Sequence, residues 1–217
     1  MKVENAAGRL IETDISGKTF KPFSGAKKYT YSSKVTSLSD ALKKCGLKDG
    51  MTLSFHHQLR NGDFVINKTL EAVQNLGVKN IMMAQTAMFN AHNPIIDFIK
   101  DGIVTRIEGS INGVVGDYIS RNPLTCPVVL RSHGGRWAAV KTGEIHIDIA
   151  VIAASASDER GNATGILGES AFGPISYSQV DAMHADHVII VTDNVIDYPC
   201  QYQEIQERYV DYVAQID

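Results

Sequence analysis

Cysteine is scarce in this sequence. Cys45, Cys126 and Cys200 are the three it has, an odd number with no CxxC pair, so neither a disulfide framework nor a cysteine metal cluster is available. Such usage predicts a reduced, cytoplasmic setting. Long apolar runs are missing as well. Nothing approaches the roughly 20 apolar residues that cross a bilayer, and MKVENAAGRLIETDISGKTFKPF has no apolar core before a cleavage site, so neither membrane nor export is expected. Charge of one sign is also lacking: 21 basic and 24 acidic residues give a dispersed net charge of −3, and no basic stripe points to nucleic acid. The signature loops GxGxxG, GxxxxGK(S/T) and GxSxG do not occur, which removes a dinucleotide fingerprint, a P-loop and a nucleophile elbow.

What remains is a chain of 217 residues, 44% hydrophobic and 21% charged, with the ordinary composition of a soluble globular protein. Residues 1–35 are polar, with little periodicity, and read as an N-terminal arm. Regular patterning begins after them. Ser37 is placed to cap a helix with Leu38, Ala41, Leu42 and Cys45 on one face, ended by Gly46, and Cys45 reads as a core thiol there. The strand MTLSF follows, and Asp63 opens a helix through FVINKTLEAVQNL to Gly77. VKNIMMA, IVTRIE, PVVLRS, IDIAVIAA and HVIIVTD read as further strands, with PIIDFIK, VVGDYIS and SQVDAMHA as helices between them. IDIAVIAA is almost wholly apolar, as a strand covered on both faces must be. Strands alternating with short helices predict an α/β domain over 36–217: an open, mostly parallel sheet with helices on both faces. Near the C-terminus QEIQER looks helical and YVDYVAQID starts as a strand, so the chain is expected to be part of a longer protein.

In an open parallel sheet ligands bind beyond the carboxyl ends of the strands. Four polar segments follow predicted strands there: SFHHQLRNGD, QTAMFNAH, RSHGGR and SASDERGNATG. In RSHGGR, Arg131 and Arg136 flank Gly134 and Gly135. Guanidinium forks suit carboxylates, and glycines let backbone N–H groups approach an anion, although a glycine turn with two solvated arginines fits the same letters. His56 and His57 are adjacent and would face opposite ways on a strand, a poor pair of metal ligands. His146 and Asp148 share a strand face but no third ligand is apparent in sequence, so no metal is expected. One of His56 and His57 can serve as a hydrogen-bond donor to a thioester or carboxylate oxygen, or both can be structural. Gly161 and Asn162 tolerate positive φ and alone would pass as a turn. His92, His184 and His187 read as structural.

GEIHIDIAVIAASASDERGNATG and the following FGPISYSQVDAMHADHVIIVTDNVI resemble the first half of family I coenzyme A transferases, in which an apolar strand precedes an Asp and a Gly-Asn pair. SFHHQLRNGD and PVVLRSHGGR narrow the resemblance to the citrate lyase alpha subunits within that family, over about Leu38 to the C-terminus. Where many members have a glycine-rich oxyanion turn, this chain has Phe55-His56-His57, and nothing matches the motif of the family's nucleophilic glutamate. The resemblance implies a sheet of the CoA-transferase, NagB/RpiA-like type. It also implies exchange of the acetyl group on a CoA-like prosthetic group of an acyl carrier protein, or of acetyl-CoA, for citrate. No tightly bound cofactor is implied. Citrate, the beta and gamma subunits of the lyase and further copies of the chain are the implied partners. Carried onto this sequence, His56 and His57 are the catalytic candidates. Arg60, Arg131, Ser132, His133, Gly134, Gly135 and Arg136 are candidates for citrate, and Ser54, Phe55, Asp158, Gly161 and Asn162 for the CoA arm. Another CoA transferase or an acetyl-CoA hydrolase, or an inactive ligand-binding half, remains compatible with the same residues.

Overall fold

Residues 2–4, 8–12, 32–124 and 126–216 are described by the structure, a computed structural model. The chain forms two compact units, Met1–Ser32 and Ser33–Asp217. In the first, β1 (Lys2–Glu4) pairs antiparallel with β2 (Leu10–Glu12). Most of the arm expected over residues 1–35 lies outside the described residues.

The second unit carries the α/β pattern. In chain order it contains β3 (Val35–Thr36), α1 (Leu38–Lys44), β4 (Thr52–Phe55), α2 (Val65–Asn75), β5 (Ile81–Gln85), α3 (Ile95–Lys100), β6 (Val104–Gly109), α4 (Gly113–Arg121), β7 (Val129–Leu130), α5 (His133–Lys141) and β8 (Ile149–Ala153). β9 (Ala156–Asp158), β10 (Ala163–Thr164), α6 (Ser178–His184), β11 (His187–Thr192), β12 (Val195–Ile196) and β13 (Tyr212–Gln215) complete it. Eight strands join in the order β3-β13-β11-β8-β4-β5-β6-β7, and every pairing is parallel. A small sheet, β10-β9-β12, stands beside it.

Period-two alternation along the strands divides the apolar side chains between two cores. Ile149, Val151 and Ala153 of β8 pack with α1, α2 and α3, whereas Ala150 and Ile152 pack with Ala139 and Val140 of α5 and Val180 of α6. Helices therefore cover both faces, and β8 and the Val188–Val191 stretch of β11 are apolar throughout for that reason. Ser37 caps α1 by accepting from the Asp40 N–H at 3.1 Å, and Cys45 is buried in the first core.

Two elements differ from the sequence pattern. PVVLRS is a strand only at Val129–Leu130, because its end turns into α5: Ser132 takes the cap position and its Oγ accepts from the Gly135 N–H at 3.1 Å. The two glycines sit in the first turn of α5, ahead of the residues that bury its apolar face. QEIQER is not an α-helix; a single tight turn at Glu207–Tyr209 leads into β13, which lies inside the sheet between β3 and β11.

Candidate active site

At the carboxyl ends of β4 and β5, beside the start of α5, lies a cavity of about 270 Å³. His56, His57, Gln58 and Arg60 line it from the loop after β4, Thr86 from the end of β5, His133 from α5, and Pro174 to Tyr177 from the lead-in to α6. No Asp or Glu is among these lining residues.

His57 is half-buried, and its Nδ1 lies 2.6 Å from Thr86 Oγ1. Its ring stands edge-on to His133, with centroids 5.2 Å apart, and tilts against Phe89 at 5.3 Å; His133 in turn meets Tyr177 at 5.3 Å. Burial, followed by the charges of His133, His56 and Arg60, pushes the His57 pKa down to about 4. The imidazole is thus neutral at pH 7. Either partner can donate in the Thr86 contact; in the tautomer in which the Thr86 hydroxyl donates to Nδ1, Nε2–H is left as a donor. Arg60 is exposed and holds a left-handed backbone, φ 54°. A non-glycine residue at such a φ is uncommon and costs about 1 kcal/mol or more, strain that recurs at functional sites.

Behind the cavity wall, His56, Asp181 and Arg136 form a buried triad. Arg136 Nη1 donates to Asp181 Oδ1 at 2.9 Å and Nη2 to Oδ2 at 2.6 Å, a bidentate pair, and Nη2 also donates to the Ala84 carbonyl at 2.8 Å. His56 Nε2 lies 2.8 Å from Asp181 Oδ2. Burial by itself would raise the Asp181 pKa, but the His56 and Arg136 contacts outweigh it and hold the carboxyl well below the usual range. His56 is pushed down by burial; Asp181 pulls against this, while Arg136 and His133 add to it.

The residues singled out in sequence divide accordingly. His56, His57, Arg60 and His133 come together at the cavity, with Ser132 beside them as the cap of α5. Arg136, expected to meet a ligand carboxylate, is 1% exposed, and the carboxylate it holds is that of Asp181. Arg131 is also engaged, by Glu108 and, at 2.6 Å, by Glu144. It is not a cavity residue. Gly134 and Gly135 are exposed first-turn residues of α5. Phe55 and Ser54 are fully buried within β4.

Asp158, Gly161 and Asn162 make a closed turn rather than part of the cavity wall. Asp158 accepts from the Arg160, Asn162 and Cys200 backbone N–H groups and from Asn162 Nδ2, while Asn162 Oδ1 accepts from the Glu207 N–H at 2.9 Å. Gly161 is required there: its φ is +95°, and a Cβ would stand 2.7 Å from Val210. Sequence reasoning missed Asp181, Thr86 and the Pro174–Tyr177 wall. An acidic residue flanked by Val180 and Ala182 in a short helix is a signal for Asp181, since an apolar setting demands a countercharge. His146 and Asp148 do gain a third neighbour, Asp186, with ligand atoms within 4.8 Å of one another, but the group is largely exposed and at the far end of β8 from the cavity.

A family described as citrate lyase, alpha subunit, matches residues 32–217. The chain belongs to the citrate lyase alpha subunit family. It is 42% identical over 183 residues to the citrate lyase alpha chain of Haemophilus influenzae, covering 84% of this chain and 37% of that relative. It is 36% identical over 220 residues to that of Escherichia coli K12, covering 98% and 42%. The chain therefore spans about two fifths of the length of these curated relatives. Among solved structures, one described as the citrate lyase alpha subunit of Streptococcus mutans in complex with citrate superposes with a TM-score of 0.83 at 41% identity, over 92% of this chain and 38% of that one. Glutaconate coenzyme A-transferase of Acidaminococcus fermentans, at 14% identity and a TM-score of 0.61 over 84% and 75%, shares the fold. Among the described residues, no helix is long and apolar enough to cross a membrane.

Proposed function

We propose that this chain carries the citrate side of an acyl-exchange site, in which citrate replaces acetate on a CoA-like thiol borne by an acyl carrier protein or by CoA itself. The observation that carries this reading is the cavity: three imidazoles and the Arg60 guanidinium line it, and no carboxylate does. Arg60 supplies a positive charge that no lining carboxylate competes for, which suits a polyanion, and the citrate in the Streptococcus mutans complex is one.

In the reaction, a citrate carboxylate oxygen attacks the acetyl thioester carbonyl and the thiolate leaves, giving a citric–acetic anhydride. The thiolate then attacks the citryl carbonyl and acetate departs. Both steps place negative charge on a carbonyl oxygen, so positioning and oxyanion stabilisation are the main tasks. His57 Nε2–H is the donor suited to that oxygen: it is neutral, and Thr86 fixes its second nitrogen. Arg60 is the guanidinium that receives a citrate carboxylate, with His133 beside it. The beta and acyl-carrier subunits of the lyase, and further copies of this chain, complete the assembly.

Calorimetry with citrate and an acetyl-exchange assay, both on the full natural chain, test the reading. Arg60→Met is expected to raise the citrate Kd by about 10- to 100-fold, the worth of a charged hydrogen bond. His57→Ala is expected to lower kcat by ~10²–10³. Unchanged citrate affinity in the Arg60 variant would refute the assignment.

A further inference from the structure

Asp181 determines which nitrogen of His56 carries the proton. A carboxylate that already accepts a bidentate guanidinium remains ionised and can only accept, so His56 Nε2, 2.8 Å away, must present N–H to it. Burial of the ring, together with the Arg136 charge that offsets Asp181, outweighs the pull of the carboxylate, so the imidazole carries a single proton. Nδ1 then keeps its lone pair. No described residue hydrogen-bonds Nδ1, and His56 lines the cavity.

The cavity thus contains an acceptor amid groups suited to anions. Thr86, Ser176 and Tyr177 carry hydroxyls, which can donate or accept, and Arg60 can only donate. The Gln58 carbonyl oxygen is buried and has no surface open to a ligand. A lone pair repels a carboxylate. It is satisfied by a hydroxyl.

We propose that His56, positioned by Asp181 and Arg136, reads the ligand's hydroxyl group, and so distinguishes a hydroxy-tricarboxylate from the same tricarboxylate without the hydroxyl. This inference rests on the citrate reading above and adds a specificity-determining residue to it. A site built to receive an O–H rejects the analogue lacking it, because its own buried partner is then left unpaired.

The test compares citrate with propane-1,2,3-tricarboxylate, which has the three carboxylates and no hydroxyl, by calorimetry on the full natural chain at pH 7.5. The expected result is binding about 10- to 100-fold weaker for the analogue. His56→Gln should compress that ratio to below about threefold, because the oriented lone pair is gone. Nitrogen-15 NMR of the unaltered protein gives a readout independent of the variant's folding. Nδ1 should give a pyridine-type signal that moves with citrate and stays with the analogue. Equal affinities for the two ligands, or a protonated Nδ1, would overturn the inference and leave the citrate reading standing. Failure of citrate to bind would overturn both.

Discussion

The loop after β4 and the turn after β9 are both polar, both contain glycine and both leave a strand of the α/β unit, yet their side chains finish in opposite conditions. In the turn, Asp158 accepts four hydrogen bonds and Asn162 uses both ends of its amide, so no polar atom of the pair is left for a ligand. In the loop, His57 has one ring nitrogen engaged and one free, His56 likewise, and among the described residues the Arg60 guanidinium has no partner. The difference separates a structural polar cluster from a candidate binding site. Hydrogen-bonding capacity closed within the chain stabilises the fold; capacity left open at a cavity is available to something else.

Substitutions can break this comparison. Arg136→Met should be the most damaging, costing about 3–5 kcal/mol in a denaturant melt, because it leaves the Asp181 charge buried without its partner. A midpoint close to that of the unaltered protein would show that the triad contributes little. Asn162→Ala should cost about 1–3 kcal/mol through the orphaned Asp158 and Glu207 groups, with citrate affinity unmoved. A change in affinity would place the turn in the site after all.

Asp63, in the same loop as the histidines, sharpens the picture with pH. Burial pushes its carboxyl up to about 6 from 3.8, against a helix-start bond to the Val65 N–H, and its Oδ2 has no hydrogen-bond partner in the structure. The folded state therefore holds this proton more tightly than the unfolded chain. The resulting stability is full below pH 3.8 and is lost as the pH rises through about 6. Asp63→Asn should accordingly raise the unfolding free energy by about 1–3 kcal/mol at pH 8 and by progressively less towards pH 4. A gain independent of pH would show that ionisation is not its cause.

The smallest effects belong to the exposed positions. Arg60→Met should alter stability by less than about 0.5 kcal/mol while weakening citrate binding. With a thiol reagent at pH 8, Cys126 alone should react in the folded protein, since burial raises Cys45 to about 12 and Cys200 to about 11. Fast reaction at either buried thiol would point to local opening.

The parallel sheet was legible because its central strands announce themselves: Ile149 to Ala153 and Val188 to Val191 are apolar on both sides, and only burial on both faces tolerates that. α5 was not legible. Its HGGR start reads as a turn until Ser132 is seen capping it. The histidines could be flagged as a cluster, but their partners could not. Asp181 lies 125 residues from His56, and the contact exists only because the loop after β4 meets α6 in three dimensions. The arginines misled for a related reason. A guanidinium near glycines suggests an external anion, whereas Glu108, Glu144 and Asp181 supply internal ones.

The position of β13 has a consequence for the order of assembly. It joins β11 to β3, so residues made near the start of the parallel sheet cannot find their neighbour until residues 212–215 have been synthesised. Until they dock, β11 keeps one open side, a row of unpaired amides able to pair with another strand. Docking of those four residues leaves β11 paired on both sides.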